Sequence, residues 1–152
     1  MYIGDWMARG ARYWPDQVAV VDVARAARFS YAQMNRRADD LASWLRGAGV
    51  GRGDRVALLA MNGVEALDLL FACAKLGAIF VPLNWRSHAR ELAVVVAQTG
   101  PRVLVYGDEY VEAARALGEC PSLQRWLHIG APARPDSVAY ASALAGPGVA
   151  VE

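Results

Sequence analysis

The sequence predicts an α/β domain: a parallel, doubly wound sheet with helices on both faces and a small N-terminal β-hairpin. Three short apolar runs, 56–60, 78–83 and 102–106, are continuous rather than alternating, which is typical of strands covered on both faces. A helical pattern separates each run from the next. This strand–helix order is typical of parallel sheets with right-handed crossovers.

The N-terminal third predicts a short helix, a hairpin and a longer helix. Apolar residues recur every three or four positions from Ile3 to Tyr13, which predicts the first helix. Residues 17–23 and 28–30 are expected to pair as the hairpin. Ser30 then begins the longer helix in a capping-box pattern with Gln33, and a cluster of glycines ends it.

The next helix, 63–76, follows the first apolar run. Asn62 is expected to cap it, and its sequence is so apolar that we expect it to be buried nearly all round. Ser87 is the predicted cap of a helix over 90–98, which Pro101 ends. The remaining predicted elements are a helix over 110–117, a weak strand over 126–129 and a loop or linker from Gly130 onward.

The composition excludes several classes of protein. A chain of 152 residues with 55% hydrophobic and 20% charged side chains is not intrinsically disordered. The 16 basic and 15 acidic residues leave a net charge of +1, so no nucleic-acid partner is expected. The two cysteines are far apart, and neither histidine has a partner at metal-ligand spacing, which predicts no disulfide framework and no metal site.

Two further patterns concern the cellular location. The stretch 66–83 is interrupted by Asp68, Lys75 and Pro82, so it predicts no membrane span. The first residues carry Asp5 and Arg9, which is not typical of a secretory signal. We therefore expect a cytoplasmic protein.

Ligands of open α/β sheets bind beyond the carboxyl ends of the strands, so those ends are the candidate site. The candidate segments are Met61-Asn62, Asn84-Trp85-Arg86 and Gly107-Asp108. Arg86 offers a fork of donors to a phosphate or carboxylate, and Trp85 could wall a cleft. The competing interpretation is that neither residue binds a ligand: Asn62 caps a helix, and Arg86 is a solvated charge in a loop. His88 and His128 are interpreted as surface or loop residues.

Two phosphate-binding motifs are excluded. The glycines between 47 and 53 close a helix and precede a strand, the reverse of the order that a dinucleotide fingerprint needs. The chain's single lysine, Lys75, lies inside an apolar helix, which leaves no Gly-x4-Gly-Lys loop.

Six segments resemble the adenylate-forming enzymes in order and spacing over about residues 6–106. They are PDQVAV (15–20), FSYAQMN (29–35), GVGRGDRVA (49–57), MNGVE (61–65), KLGAIFVPLNWR (75–86) and EL (91–92). Within that superfamily, Pro82-Leu83-Asn84 followed by Trp85-Arg86 is similar to the acyl-CoA synthetases. Peptide-synthetase adenylation domains, the alternative, more often carry Asp after the Pro-Leu pair.

The resemblance implies an AMP-forming acyl-CoA synthetase that uses ATP, Mg²⁺ and CoA on a fatty or related carboxylic acid. The family's Ser/Thr/Gly-rich phosphate loop, Tyr-Gly-x-Thr-Glu segment, ribose-binding Asp and catalytic Lys match no position here. We therefore expect no catalytic residue in this chain, no tightly bound cofactor, and no activity of the chain alone. Residues 1–130 would form the N-terminal subdomain, and 131–152 a linker to the remainder of the synthetase.

By the same resemblance, Asn84, Trp85, Arg86 and Gly107 are candidate contacts for the nucleotide end of CoA. Exposed apolar surface on such a piece would favour self-association, so a homodimer is a candidate partner state. The hypothesis from another class is a non-catalytic α/β module that binds a nucleotide or a protein.

Overall fold

The computed structural model describes residues 5–132 and 134–145. The strands are β1 (Val18–Asp22), β2 (Ala27–Ser30), β3 (Arg55–Leu59), β4 (Ile79–Pro82), β5 (Val103–Gly107), β6 (Arg125–Ile129) and β7 (Ser137–Ala139). The helices are α1 (Trp6–Tyr13), α2 (Tyr31–Gly47), α3 (Val64–Leu76), α4 (Ala89–Thr99), α5 (Val111–Leu117) and α6 (Tyr140–Ala143), with a 3₁₀ turn at Asp108–Tyr110.

The central sheet has the strand order β4-β3-β5-β6-β7, and every pairing in it is parallel. Strands β1 and β2 pair separately as an antiparallel hairpin. This confirms the predicted parallel sheet and N-terminal hairpin. The predicted helix start at Ile3 lies outside the described residues.

Alternate side chains of β3 enter two cores, which is why its sequence is continuously apolar. Val56 and Leu58 pack with α2, α3 and α6, whereas Ala57 and Leu59 pack with α4 and α5. All four side chains are almost completely buried. Helices therefore cover both faces of the sheet, and the predicted doubly wound architecture is confirmed.

Cys73 of α3 lies in the first of these cores, where burial raises the pKa of its thiol to about 12. The pKa is raised because an apolar surrounding disfavours the thiolate. At about pH 8.5, near the ordinary cysteine pKa, we expect a thiol reagent to modify only the half-exposed Cys120 of the folded protein.

Mass spectrometry after iodoacetamide treatment measures this difference. Both cysteines should react in denaturant, and a Cys120→Ser variant should show no modification while it is folded. Rapid modification of Cys73 in that variant under native conditions would show that the core around α3 is open to solvent.

The hairpin and helices α1, α2 and α3 form a third, smaller cluster. Met7, Met34 and Val64 are its buried centre, with side chains of the hairpin packed against them. The capping box at the start of α2 is confirmed: Ser30 Oγ accepts from the Gln33 amide at 3.3 Å, and Gln33 Oε1 accepts from the Ser30 amide at 2.8 Å.

Three details of the predicted helices are wrong. Helix α3 is not buried all round, because Leu70 is 43% exposed. Its N-cap is Gly63 rather than Asn62, and α4 is capped at His88 rather than Ser87. Glu91 performs the capping of α4 from within the helix, because its Oε2 accepts from the His88 amide at 3.2 Å. No helix in the described segments is long and apolar enough to cross a membrane.

The predicted loop after residue 130 is also wrong for part of its length. Residues 137–139 form β7, which adds to the edge of the sheet beside β6, and α6 follows directly. Their apolar side chains are few and their runs short, so periodicity does not identify them. Residues 146–152 of the predicted linker lie outside the described residues.

Two buried ionic clusters connect the helices of the first face. Asp68 of α3 is fully buried. Its carboxylate accepts hydrogen bonds from Arg37, with Nε at 3.0 and 3.1 Å and Nη2 at 2.6 Å. It also accepts a hydrogen bond from the Tyr140 hydroxyl at 2.8 Å. Lys75 Nζ contacts Asp5 and lies 2.7 Å from Asp39 Oδ1. Asp68 and Lys75, two of the three charged residues of α3, thus form ion pairs inside the fold.

Candidate functional site

The order of the strands reverses direction between β3 and β5. From β3 the chain passes through α3 on one face to β4, and from β5 it passes through α5 on the other face to β6. The helices that follow these two neighbouring strands therefore diverge, which opens a crevice at their carboxyl ends.

A cavity of about 260 Å³ occupies this crevice. Its walls are the segment 60–63 after β3, Glu65 of α3, residues 107–109 at the end of β5, Ile129 of β6 and the tip of the hairpin. Gly107 is buried at the base of the cavity, where a Cβ would lie 3.1 Å from Glu109 Oε2 and 3.7 Å from Ala60 Cβ. Its missing side chain therefore leaves space between the ends of β3 and β5.

The lining of the cavity is acidic. Among its described residues, the carboxylates of Asp22, Glu65, Asp108 and Glu109 face one cation, Arg25. Arg25 Nη1 lies 2.9 Å from Asp22 Oδ2, and its Nη2 lies 2.9 Å from Glu65 Oε1. The hydrogen bond and charge of Glu65 raise the pKa of Arg25, while the Arg25 backbone amide is the main cause that lowers the pKa of Asp22. The crevice thus carries excess negative charge, which disfavours a phosphate.

Asp108 is held by groups from β6 and the turn after it. Its Oδ1 lies 2.8 Å from His128 Nε2, and the imidazole stacks on Tyr106 with ring centroids 4.6 Å apart. The same carboxylate covers the backbone of Gly130, where a Cβ would approach Asp108 Oδ2 to 2.6 Å. His128 is almost completely buried, so its interpretation as a surface or loop residue is wrong. Its position in a strand flanked by Leu127 and Ile129 is the signal that indicates burial.

The segment Asn84-Trp85-Arg86 follows β4, an edge strand of the sheet, and does not line the cavity. The exposed Arg86 guanidinium lies over the Trp85 ring, with its carbon 4.4 Å from the centroid. Asn84 Oδ1 accepts from the Arg86 amide at 3.1 Å and so shapes the turn. The structure therefore brings Met61-Asn62 and Gly107-Asp108 together and presents Arg86 separately.

Metal-binding geometry is not found in the part of the chain that the structure describes. No group of three or more His, Cys, Asp or Glu residues there is arranged to hold an ion. The acidic crevice brings its carboxylates to one cavity without forming such a group.

A doubly wound sheet with a polar crevice at its strand-order reversal is the arrangement in which open α/β domains commonly bind ligands. The sequence model of the AMP-binding enzyme family matches residues 7–145, and the chain belongs to that family.

The chain is similar to enzymes whose names describe acyl-CoA synthesis or CoA ligation. A feruloyl-CoA synthase of Amycolatopsis sp. is 44% identical over 115 residues, covering 76% of this chain and 23% of the relative. A long-chain-fatty-acid–CoA ligase of Mycobacterium tuberculosis is 38% identical over 127 residues, covering 80% of this chain and 25% of the relative. A solved structure of a fatty acyl CoA synthetase from M. tuberculosis superposes with a TM-score of 0.85 at 31% identity. The match covers 97% of this chain and 30% of that synthetase. The chain thus spans about a quarter of the length of these curated relatives.

Proposed function

We propose that this chain is the N-terminal α/β part of an AMP-forming acyl-CoA synthetase in the cytoplasm. The whole enzyme would activate a fatty or related carboxylic acid with ATP to an acyl-adenylate and then form the thioester with CoA. The observation that carries this proposal is the family match across residues 7–145, together with relatives whose names describe CoA ligation.

The residues that the structure describes do not fit Mg·ATP. The chain's single lysine is buried among Asp5, Asp39 and Asn35, and the crevice at the strand ends is acidic. Phosphate groups need cations or helix N-terminal amides directed at them. In our proposal the nucleotide, the magnesium ion and the catalytic groups therefore belong to the remainder of the synthetase.

The exposed Arg86 fits the anionic end of CoA better than the crevice does. Stacking on Trp85 restricts the guanidinium, so less conformational entropy is lost when it binds a phosphate. Asn84 supports this turn through its amide oxygen. Gly107 would contribute only backbone and open space, beside carboxylates that repel phosphate. We therefore propose Arg86 and Trp85 as the direct contacts and Asn84 as the residue that shapes them.

Replacing Arg86 by alanine in the synthetase that carries this segment is the test. We expect KM for CoA to rise about tenfold, as for the loss of one charge-assisted contact, while ATP–pyrophosphate exchange with the acid is unchanged. Arg46→Ala, at an exposed arginine of α2, is the matched control and should change neither quantity. Loss of exchange in a folded Arg86→Ala enzyme would contradict the proposed contact.

The 152-residue chain by itself tests separately whether ATP binding and catalysis belong to the remainder of the synthetase. We expect neither ATP–pyrophosphate exchange nor tight ATP binding by calorimetry, because the family's Ser/Thr/Gly-rich phosphate loop and catalytic Lys match no position in this sequence. Formation of an acyl-adenylate by this chain alone would overturn the assignment of ATP binding and catalysis to the remainder of the synthetase. It would not bear on the proposed role of Arg86.

A further inference from the structure

The tip of the hairpin, residues 22–26, borders open space on two sides. On one side it forms a wall of the acidic crevice, to which Asp22, Ala24 and Arg25 contribute. On the other side, a cleft of about 340 Å³ lies between the tip and residues 62–64 at the start of α3. The tip is therefore not packed down on the helix that it faces.

The base of the hairpin, in contrast, is held in place by apolar packing. Val20 and Phe29 pair with each other in the ladder and pack against the buried centre of the third cluster. A displacement of the tip therefore bends the end of the two-stranded ribbon and leaves its base in position.

Within the described residues, one ion pair joins the tip to α3. Arg25 Nη2 lies 2.9 Å from Glu65 Oε1, and Arg25 Nη1 donates a hydrogen bond to Glu65 Oε2 at 3.2 Å. The same Nη1 lies 3.7 Å from the position that a Cβ on Gly63 would take. The guanidinium thus lies over the first residues of α3 and closes the space between the tip and the helix.

The other properties of the tip favour its closed position only weakly. Val23 is 86% exposed, so it buries little apolar surface there. Ala26 has φ of +51°, a left-handed conformation that disfavours a side chain. The Arg25 side chain is 51% exposed, and ion pairs with such access to water contribute little to stability. Little free energy therefore separates the closed tip from one that is lifted off α3.

We propose that the hairpin tip is a strap that opens and closes the crevice, and that the Arg25–Glu65 ion pair is the latch that holds it closed. The crevice and the cleft share Asp22, Ala24, Asn62 and Gly63. When the latch separates, the two spaces join into one wider opening at the strand ends. Because the latch is electrostatic and exposed, salt shifts the strap towards the open position.

A distance between two spin labels tests the strap in the 152-residue chain. One label is placed at Val23→Cys on the tip and the other at Ala74→Cys, an exposed position of α3, in a Cys120→Ser background. Cys73 is buried and stays unlabelled. We expect a closed and a longer, lifted distance, and about 0.5 M sodium chloride should increase the lifted population by screening the latch.

Glu65→Gln removes the charge of the latch and keeps the length of the side chain. We expect it to raise the ratio of lifted to closed molecules about fivefold, the effect of losing one exposed ion pair. Salt should then add little. Glu109→Gln is the matched control, because it neutralises another crevice carboxylate outside this ion pair, and it should leave both distances unchanged.

Three results would overturn the proposal. The first is a single distance that neither salt nor Glu65→Gln changes. The second is an equal shift in Glu109→Gln, which would make the opening a general effect of charge in the crevice. The third is faster amide hydrogen exchange in β3 and α2 of Glu65→Gln, which would show that the pair supports the whole fold. The measurement involves no substrate, so its outcome is independent of the proposed synthetase activity.

Discussion

Replacing Asp68 by alanine is expected to lower the free energy of unfolding by about 4 kcal/mol, because it removes the carboxylate that pairs with the largely buried Arg37 guanidinium. The Asp68 carboxylate is fully buried and accepts hydrogen bonds from Nε and Nη2 of Arg37. It also accepts a hydrogen bond from the Tyr140 hydroxyl. Burial and the Asp68 charge raise the pKa of Tyr140 well above its ordinary value. The phenol therefore stays a donor across the neutral range. Urea denaturation followed by circular dichroism measures the loss.

Matched variants separate the pair from the surrounding packing. Tyr140→Phe removes one donor and should cost about 1 kcal/mol. Replacing both members, in Arg37→Leu/Asp68→Leu, should recover much of the loss, because no unpaired charge is then buried. Asp16→Ala, at an exposed aspartate, should change stability little. An Asp68→Ala protein as stable as that control would show that the ion pair contributes nothing to the fold.

Replacing Gly130 by alanine should cost about 2 kcal/mol, mainly from backbone strain, because the Asp108 carboxylate that an added Cβ would meet ends a largely exposed side chain that can move away. Gly130 has φ of +138°, a region that side chains rarely adopt. The added Cβ would also meet the carboxylate of Asp108 at 2.6 Å or closer. We therefore expect Asp108 to move away from His128, which changes the shape of the crevice as well as the stability. Thermal denaturation and the histidine NMR signals measure the two effects.

Gly53 offers a control with a positive φ but without a steric clash. It also has a positive φ, of +81°, but nothing lies within 4 Å of the position a Cβ would take. Gly53→Ala should therefore cost only about 1 kcal/mol. Gly130→Ala/Asp108→Ala removes the clashing carboxylate and should recover the steric part of the loss. Equal costs for Gly53→Ala and Gly130→Ala would show that Asp108 does not pack on the turn.

Local patterns predict those elements whose sequence alone requires them. Continuous apolar runs require cover on both faces, so β3 and β5 and their parallel arrangement are predictable. The capping box at Ser30 is predictable because its partner lies three residues away. By contrast, β7 is too short for a periodic signal, and it becomes a strand because the edge of β6 is available for pairing.

The candidate site is predictable only in part. The rule that ligands bind beyond strand ends correctly identifies 61–62 and 107–108 as neighbours at one edge of the sheet. It does not exclude Asn84-Trp85-Arg86 from the crevice, because the exclusion depends on β4 being an edge strand. The shape of the crevice also depends on the hairpin tip, which brings the Asp22–Arg25 pair to Glu65 of α3.

The sequence by itself determined the doubly wound sheet, its hairpin and the resemblance to adenylate-forming enzymes, because these follow from patterns within short segments. Only the tertiary structure decided the environments of the polar groups. Asp68 meets Arg37 across 31 positions and Tyr140 across 72. Burial of such a charge is favourable only when both partners are brought to it, and that depends on how the helices pack. Local patterns carry no information about that packing.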